Sequence, residues 1–259
     1  MKPEEAKGPV ELRNAVAQRK VLLGTFQKTT HYQTVEVLAG SGLDFVVLDA
    51  EHAPFGREAL DACCLAARAY GFPALVRTAS CRPEHILQAL DCGATGVLVP
   101  HVDDARTAIS AVRAARYREA DGTRGFSNSP RAGGYGATAL ALHIEASDRH
   151  TTVVVQVETA AAVANVKEIA EVPGVDALFI GRADLAVSYG AASLGDARVQ
   201  KTVEKICQAA KESGRPVGIF LPDTQEVETF VGMGVSLFII GSDQSMLQKA
   251  ARQVGEWAR

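Results

Sequence analysis

The feature that most limits the fold of this chain is a repeat of pattern. Short apolar runs alternate with alanine-rich amphipathic stretches from one end to the other. The runs are Val21–Thr25, Phe45–Asp49, Ala74–Arg77, Gly96–Pro100, Thr152–Glu158, Ala177–Ile180, Pro216–Phe220 and Leu237–Ile240. Near-continuous apolar strands are buried on both faces, as in a parallel sheet covered by helices. Stretches such as "REALDACCLAARAYG", "DDARTAISAVRAARY" and "TQEVETFVGMG" supply the helices. Eight such units in 259 residues fit an α/β fold, a (β/α)₈ TIM barrel spanning residues 1–259 as one domain. A doubly wound sheet is the alternative, but no G-x-G-x-x-G follows the first run. Residues 1–20 read as an N-terminal helical segment. Residues 117–138, "YREADGTRGFSNSPRAGGYGAT", read as a long loop near the barrel mouth, followed by an extra helix from about Ala139 to Asp148. Such a loop is either functional or a surface excursion.

Composition narrows the partners. A net charge of -3 without a long basic run excludes nucleic acid as the expected ligand. No apolar stretch reaches the ~18 residues of a membrane span. The start, "MKPEEAKGPVELRN", lacks the apolar core of a signal peptide. The five cysteines are odd in number and form no C-x-x-C, as expected of reduced thiols in a cytoplasmic protein.

A barrel of this kind carries its active site where the strands end. The second run ends in Asp49, Glu51 and His52, the third in Arg77, the fourth in His101, the fifth in Gln156 and Glu158. Arg182 and Asp184 follow the sixth. A Gln and a Glu inside "VVVQVET" would each cost several kcal/mol if buried unpaired. Two carboxylates on adjacent strands, Glu158 and Asp184, suit oxygen ligation of Mg²⁺ or Mn²⁺, with water and substrate completing the shell. The other reading is a salt bridge from one of them to Arg182 or Arg77. Asp49 and His52, three apart, suit a carboxylate holding an imidazole as general base, and are also common as plain structure. Arg77 is placed either to stabilise an oxyanion or to balance the carboxylates. No lysine stands at the strand ends so read, so no Schiff base is expected.

Taken together, "FVVLDAEHAP", "LVRT", "ALDCGATGVLVPHV", "GTRGF", "VVVQVET" and "FIGRADLAVSYG" resemble the HpcH/HpaI aldolases, metal-dependent enzymes that use pyruvate. The resemblance covers about Leu23 to Ala251. It implies a (β/α)₈ barrel, a homohexamer built from dimers that exchange the C-terminal helix, and a divalent cofactor (Mg²⁺, Mn²⁺ or Co²⁺). By position it implies His52 as general base with Asp49 as partner, and Asp91 as the acid that raises the basicity of His52. It implies Arg77 as transition-state stabiliser, Glu158 and Asp184 as metal ligands, and Gln156 and the Ala183 backbone as contacts to the 2-oxo acid. The family usually reads G-P-A-D-L where this chain has Gly181-Arg182-Ala183-Asp184-Leu185. Arg182 either binds an acidic arm of the substrate or turns away to a neighbouring carboxylate.

The implied activity is reversible cleavage of a 4-hydroxy-2-oxo acid to pyruvate, or a related 2-oxo acid, plus an aldehyde. One alternative is condensation of acetyl-CoA with oxaloacetate to citrate in siderophore assembly. The end of the chain soon after the eighth run leaves no room for the C-terminal lid of larger CoA-ester lyases, which weighs against it. A second alternative is a non-catalytic metabolite-binding barrel, but every matched chemical position is filled.

Overall fold

A computed structural model describes residues 9–257. Eight strands, β1 (Leu22–Gln27), β2 (Phe45–Asp49), β3 (Ala74–Arg77), β4 (Gly96–Val99), β5 (Thr152–Val157), β6 (Ala177–Ile180), β7 (Val217–Leu221) and β8 (Val235–Ser242), pair in parallel in that order. β8 pairs back onto β1, and the barrel closes. The expected fold is the observed one.

Side chains alternate across each strand. Phe26, Phe45, Val47, Leu75, Leu98, Val154, Phe179 and Ile239 fill the barrel. Their neighbours Val46, Leu48, Val76, Val97, Val153 and Val155 pack outward against the helices. Gly24 lies in register with Phe45, and a Cβ there would meet the Phe45 ring at 2.6 Å. The missing side chain is what lets an aromatic ring occupy the centre. From below, Leu12 and Val16 of the helix Pro9–Ala17 join the same interior cluster. Arg13 secures that helix by an ion pair to Asp176 at 2.9 Å. Of the predicted segment 1–20, residues 1–8 lie outside the described residues.

Two segments depart from the ordinary helix-on-barrel packing. The last helix, Asp243–Glu256, buries only Asp243, and leaves Leu247 73%, Val254 76% and, just beyond, Trp257 91% exposed. The segment 117–138 precedes β5, so it lies at the end of the barrel opposite the mouth, and the expected place near the mouth is corrected. A chain that climbs a strand returns down the following helix, here Ala105–Ala115, and this segment continues from its foot. There Arg124 pairs with Asp91 and Arg131 with Asp61, and the extra helix Leu140–His150 follows.

Candidate active site

The inward columns of the barrel end in chemistry. Val47 is followed on the same face by Asp49, Leu75 by Arg77, Val154 by Gln156 and then Glu158, and Phe26 by Lys28. Period-two alternation carries these four apolar columns into polar groups at the mouth. A cavity of about 350 Å³ opens there, with Lys28, His52, Arg77, Gln156, Ala183 and Asp184 in its wall.

Asp49 is fully buried and joined to Arg77 by two parallel bonds, Nε to Oδ1 at 2.9 Å and Nη2 to Oδ2 at 2.7 Å. Burial alone would raise the Asp49 pKa. The Arg77 bonds and charge, with the His52 backbone N–H, outweigh it and hold the carboxyl below its ordinary value. The Arg77 guanidinium also lies 4.4 Å over the Phe26 ring, which fixes its plane. Asp49 accepts from the backbone N–H groups of Glu51 (3.3 Å) and His52 (3.1 Å) and so shapes the bend. The expectation that Asp49 holds the His52 imidazole is corrected, because its oxygens are taken by Arg77 and the backbone. The carboxylate beside the His52 ring is Glu51, with Oε2 3.7 Å from Nε2.

Glu51 also reaches His101, Oε1 to Nε2 at 3.1 Å, and His101 Nδ1 lies 3.0 Å from Glu158 Oε1. The His101 backbone N–H donates to the same Glu158 oxygen at 2.6 Å. His101 adopts φ 55°, a left-handed conformation costly for a residue with a side chain and characteristic of functional sites. The other Glu158 oxygen accepts from Gln156 Nε2. Gly181 closes over this pair, since a Cβ there would stand 2.8 Å from Glu158 Cβ. Burial raises the Glu158 pKa; His101 opposes the rise, while Glu51 and Asp184 add to it.

A divalent cation beside these carboxylates would offset that rise. Asp184 stands exposed in the first turn of the helix Arg182–Ser188 and faces the cavity. Gln156 Oε1 is buried without a hydrogen-bond partner beside them. No three His, Cys, Asp or Glu side chains are arranged around a common metal position among the described residues. Two carboxylates and no third ligand fit an oxygen-seeking divalent ion that completes its shell with substrate and water.

Two expected residues have other partners. The Arg182 guanidinium is buried, bonded to Glu226 at 2.8 and 3.2 Å and stacked 5.1 Å from the Phe230 ring. Of the two roles open to Arg182, the structure shows the turn to a neighbouring carboxylate, and the assignment as a contact to an acidic substrate arm is corrected. Asp91 ends the helix Pro83–Asp91, which descends from the mouth, and its partner is Arg124 at 3.0 Å, not His52. Conversely, Lys28 is a mouth residue that the shorter first run concealed. Glu51 and His101 were visible as ionisable groups at strand ends but carried no assigned role.

The match to known proteins spans nearly the whole chain. The family model for HpcH/HpaI aldolase/citrate lyase covers residues 22–250. A 5-keto-4-deoxy-D-glucarate aldolase from Citrobacter koseri is 32% identical over 251 residues, 96% of either chain. The crystal structure of an HpcH/HpaI aldolase/citrate lyase family protein from Burkholderia cenocepacia superimposes with TM-score 0.90 at 31% identity, covering 96% of this chain and 98% of that one. The citrate synthase SbnG superimposes with TM-score 0.86 at 27% identity, covering 96% and 97%. Barrel, mouth constellation and kinship agree: the chain belongs to the HpcH/HpaI aldolase/citrate lyase family and is a carbon–carbon lyase of the metal-dependent aldolase type.

Proposed function

We propose that the protein reversibly cleaves a 4-hydroxy-2-oxo acid to pyruvate, or a close 2-oxo acid, and an aldehyde. The observation that carries this reading is the convergence of Arg77, His52, Gln156 and Asp184 on one cavity, with Glu158 buried at its edge. Glu158 and Asp184 would hold Mg²⁺, Mn²⁺ or Co²⁺, which supplies Lewis-acid stabilisation of an enolate. Arg77 spends Nε and Nη2 on Asp49, leaving Nη1 as the edge for a substrate oxygen that gains negative charge. Gln156 and the Ala183 backbone orient the 2-oxo acid. His52, 56% exposed at the lip, moves the proton of the aldehyde-derived hydroxyl, with Glu51 beside its ring. The relatives' name suggests 5-keto-4-deoxy-D-glucarate as a first substrate to try.

A second reading, condensation of acetyl-CoA with oxaloacetate, draws on the likeness to SbnG. The exposed face of the last helix supports assembly into dimers that exchange it, and into a hexamer. The deciding experiment offers pyruvate and oxaloacetate with aldehydes and with acetyl-CoA, plus Mg²⁺ or Mn²⁺, and reads products by mass spectrometry. Aldols from pyruvate are expected; citrate without aldols would replace the first reading by the second.

A further inference from the structure

His101 joins the two sides of the mouth. Its backbone N–H and its ring Nδ1 both meet Glu158 Oε1, at 2.6 and 3.0 Å. Two contacts to one oxygen anchor the ring, and the opposite nitrogen, Nε2, lies 3.1 Å from Glu51 Oε1. The backbone that achieves this stands at φ 55°, a conformation glycine adopts freely and histidine does not. A strained residue at a cavity mouth points to work done by its side chain.

That work falls on Glu51. With Oε1 beside His101, the other oxygen, Oε2, is buried without a hydrogen-bond partner. It lies 3.4 Å from Arg77 Nε, which already donates to Asp49, and 3.7 Å from His52 Nε2. His52 needs such a neighbour. More than half of its side chain is exposed, so packing does not fix the ring, and Asp49 holds only its backbone N–H. An unpaired buried oxygen is costly, and a small turn of the His52 ring brings Nε2 within hydrogen-bond reach of it. We propose that His101 is a positioning residue for the base: anchored on Glu158, it holds Glu51 so that Oε2 meets the His52 ring and sets its orientation for proton transfer. This rests on the aldolase reading for the role of His52.

The test uses the full chain with Mg²⁺ and two readouts. The first is the NMR signal of the His52 ring Cε1–H, assigned by its loss in His52→Ala and read at one fixed pH. His101→Gly removes the ring, keeps the backbone N–H to Glu158 and relieves the positive φ. It should move the His52 signal, as should Glu51→Gln, and the double variant should move it no further than the larger of the two. His101→Asn also tolerates the left-handed backbone but stops short of Glu51, so it should act as His101→Gly does. The second readout is aldol formation from pyruvate and propanal. Each single variant should lower kcat about tenfold or more with KM for pyruvate kept within about twofold, and the double variant should lose no more than the worse single one. An unmoved His52 signal in both His101 variants, losses that multiply in the double variant, or a fall in melting temperature shared by His101→Gly and His101→Asn would overturn the proposal. Coupled NMR shifts without any aldol from the unsubstituted protein remove the aldolase reading alone; aldol formation with uncoupled shifts removes the role of His101 alone.

Discussion

Asp49 serves two neighbours at once, holding the Arg77 fork and the bend that presents His52. Asp49→Asn keeps the volume and leaves the buried guanidinium only its longer ion pair to Glu51 at 3.4 Å, which should cost about 3 kcal/mol, the low end for a broken buried pair, in denaturant unfolding. The lowered pKa of Asp49 fixes the sign of the pH effect. Its contribution is complete above the unfolded carboxyl pKa, about 3.9, and is lost as pH falls through the lower folded value. Acid unfolding of the Asn variant should lack that component. His52→Ala should lower kcat by about 10² to 10⁴-fold with the fold kept, the usual range for a general base; near-normal turnover would remove His52 from that role. Arg182→Pro should leave any preference for acidic partners in place, because the guanidinium is spent on Glu226. Its expected effect is a lower melting temperature, modest because proline is well tolerated in a first helical turn. A selectivity change would reinstate Arg182 as a substrate contact.

At the scale of elements, strand positions were legible in the apolar runs, to the residue for Phe45–Asp49, Ala74–Arg77 and Ala177–Ile180, but the C-terminal limit of β1 was not. β1 continues to Gln27, a fully buried polar residue whose amide donates to the carbonyls of Thr29 (2.8 Å) and His31 (3.2 Å). A buried polar residue whose amide N–H groups are taken by later backbone reads in sequence as the start of a loop, which is why Lys28 escaped notice. Asp91 stands away from His52 within one chain for a related reason. Its motif was visible, but which end of a helix it occupies depends on the direction of descent. Arg182 could not be settled because its partner, Glu226, is 44 residues away. The clamp on β1 is testable by itself. Asp243→Ala removes both acceptors of the Lys28 and Thr29 N–H groups, and their amide exchange should quicken by about tenfold or more. Unchanged exchange would show that the strand end is held by other means.

For the whole molecule, eight apolar runs with helical spacers sufficed to read the barrel, because parallel closure buries every strand on both faces. The mouth was legible as a set of residue types and only partly as a set of contacts, since contacts join strands far apart in sequence. Thorough chelation should abolish activity and added Mg²⁺, Mn²⁺ or Co²⁺ restore it; full activity after chelation would sink the metal-assisted reading. Lys28 sharpens a second check. Borohydride with pyruvate should trap no adduct, whereas a reduced adduct at Lys28 would turn the chemistry into that of an imine. The alternation of the inward columns has an evolutionary side. Below, Gly24 lies so close to the Phe45 ring that any side chain there would clash, and the helix carrying Leu12 and Val16 closes the same interior cluster. Above, Lys28, Arg77 and Gln156 top their columns and line the cavity. Directed evolution of new substrate scope should therefore find its tolerated changes at the tops of the columns, while the foundation stays unaltered.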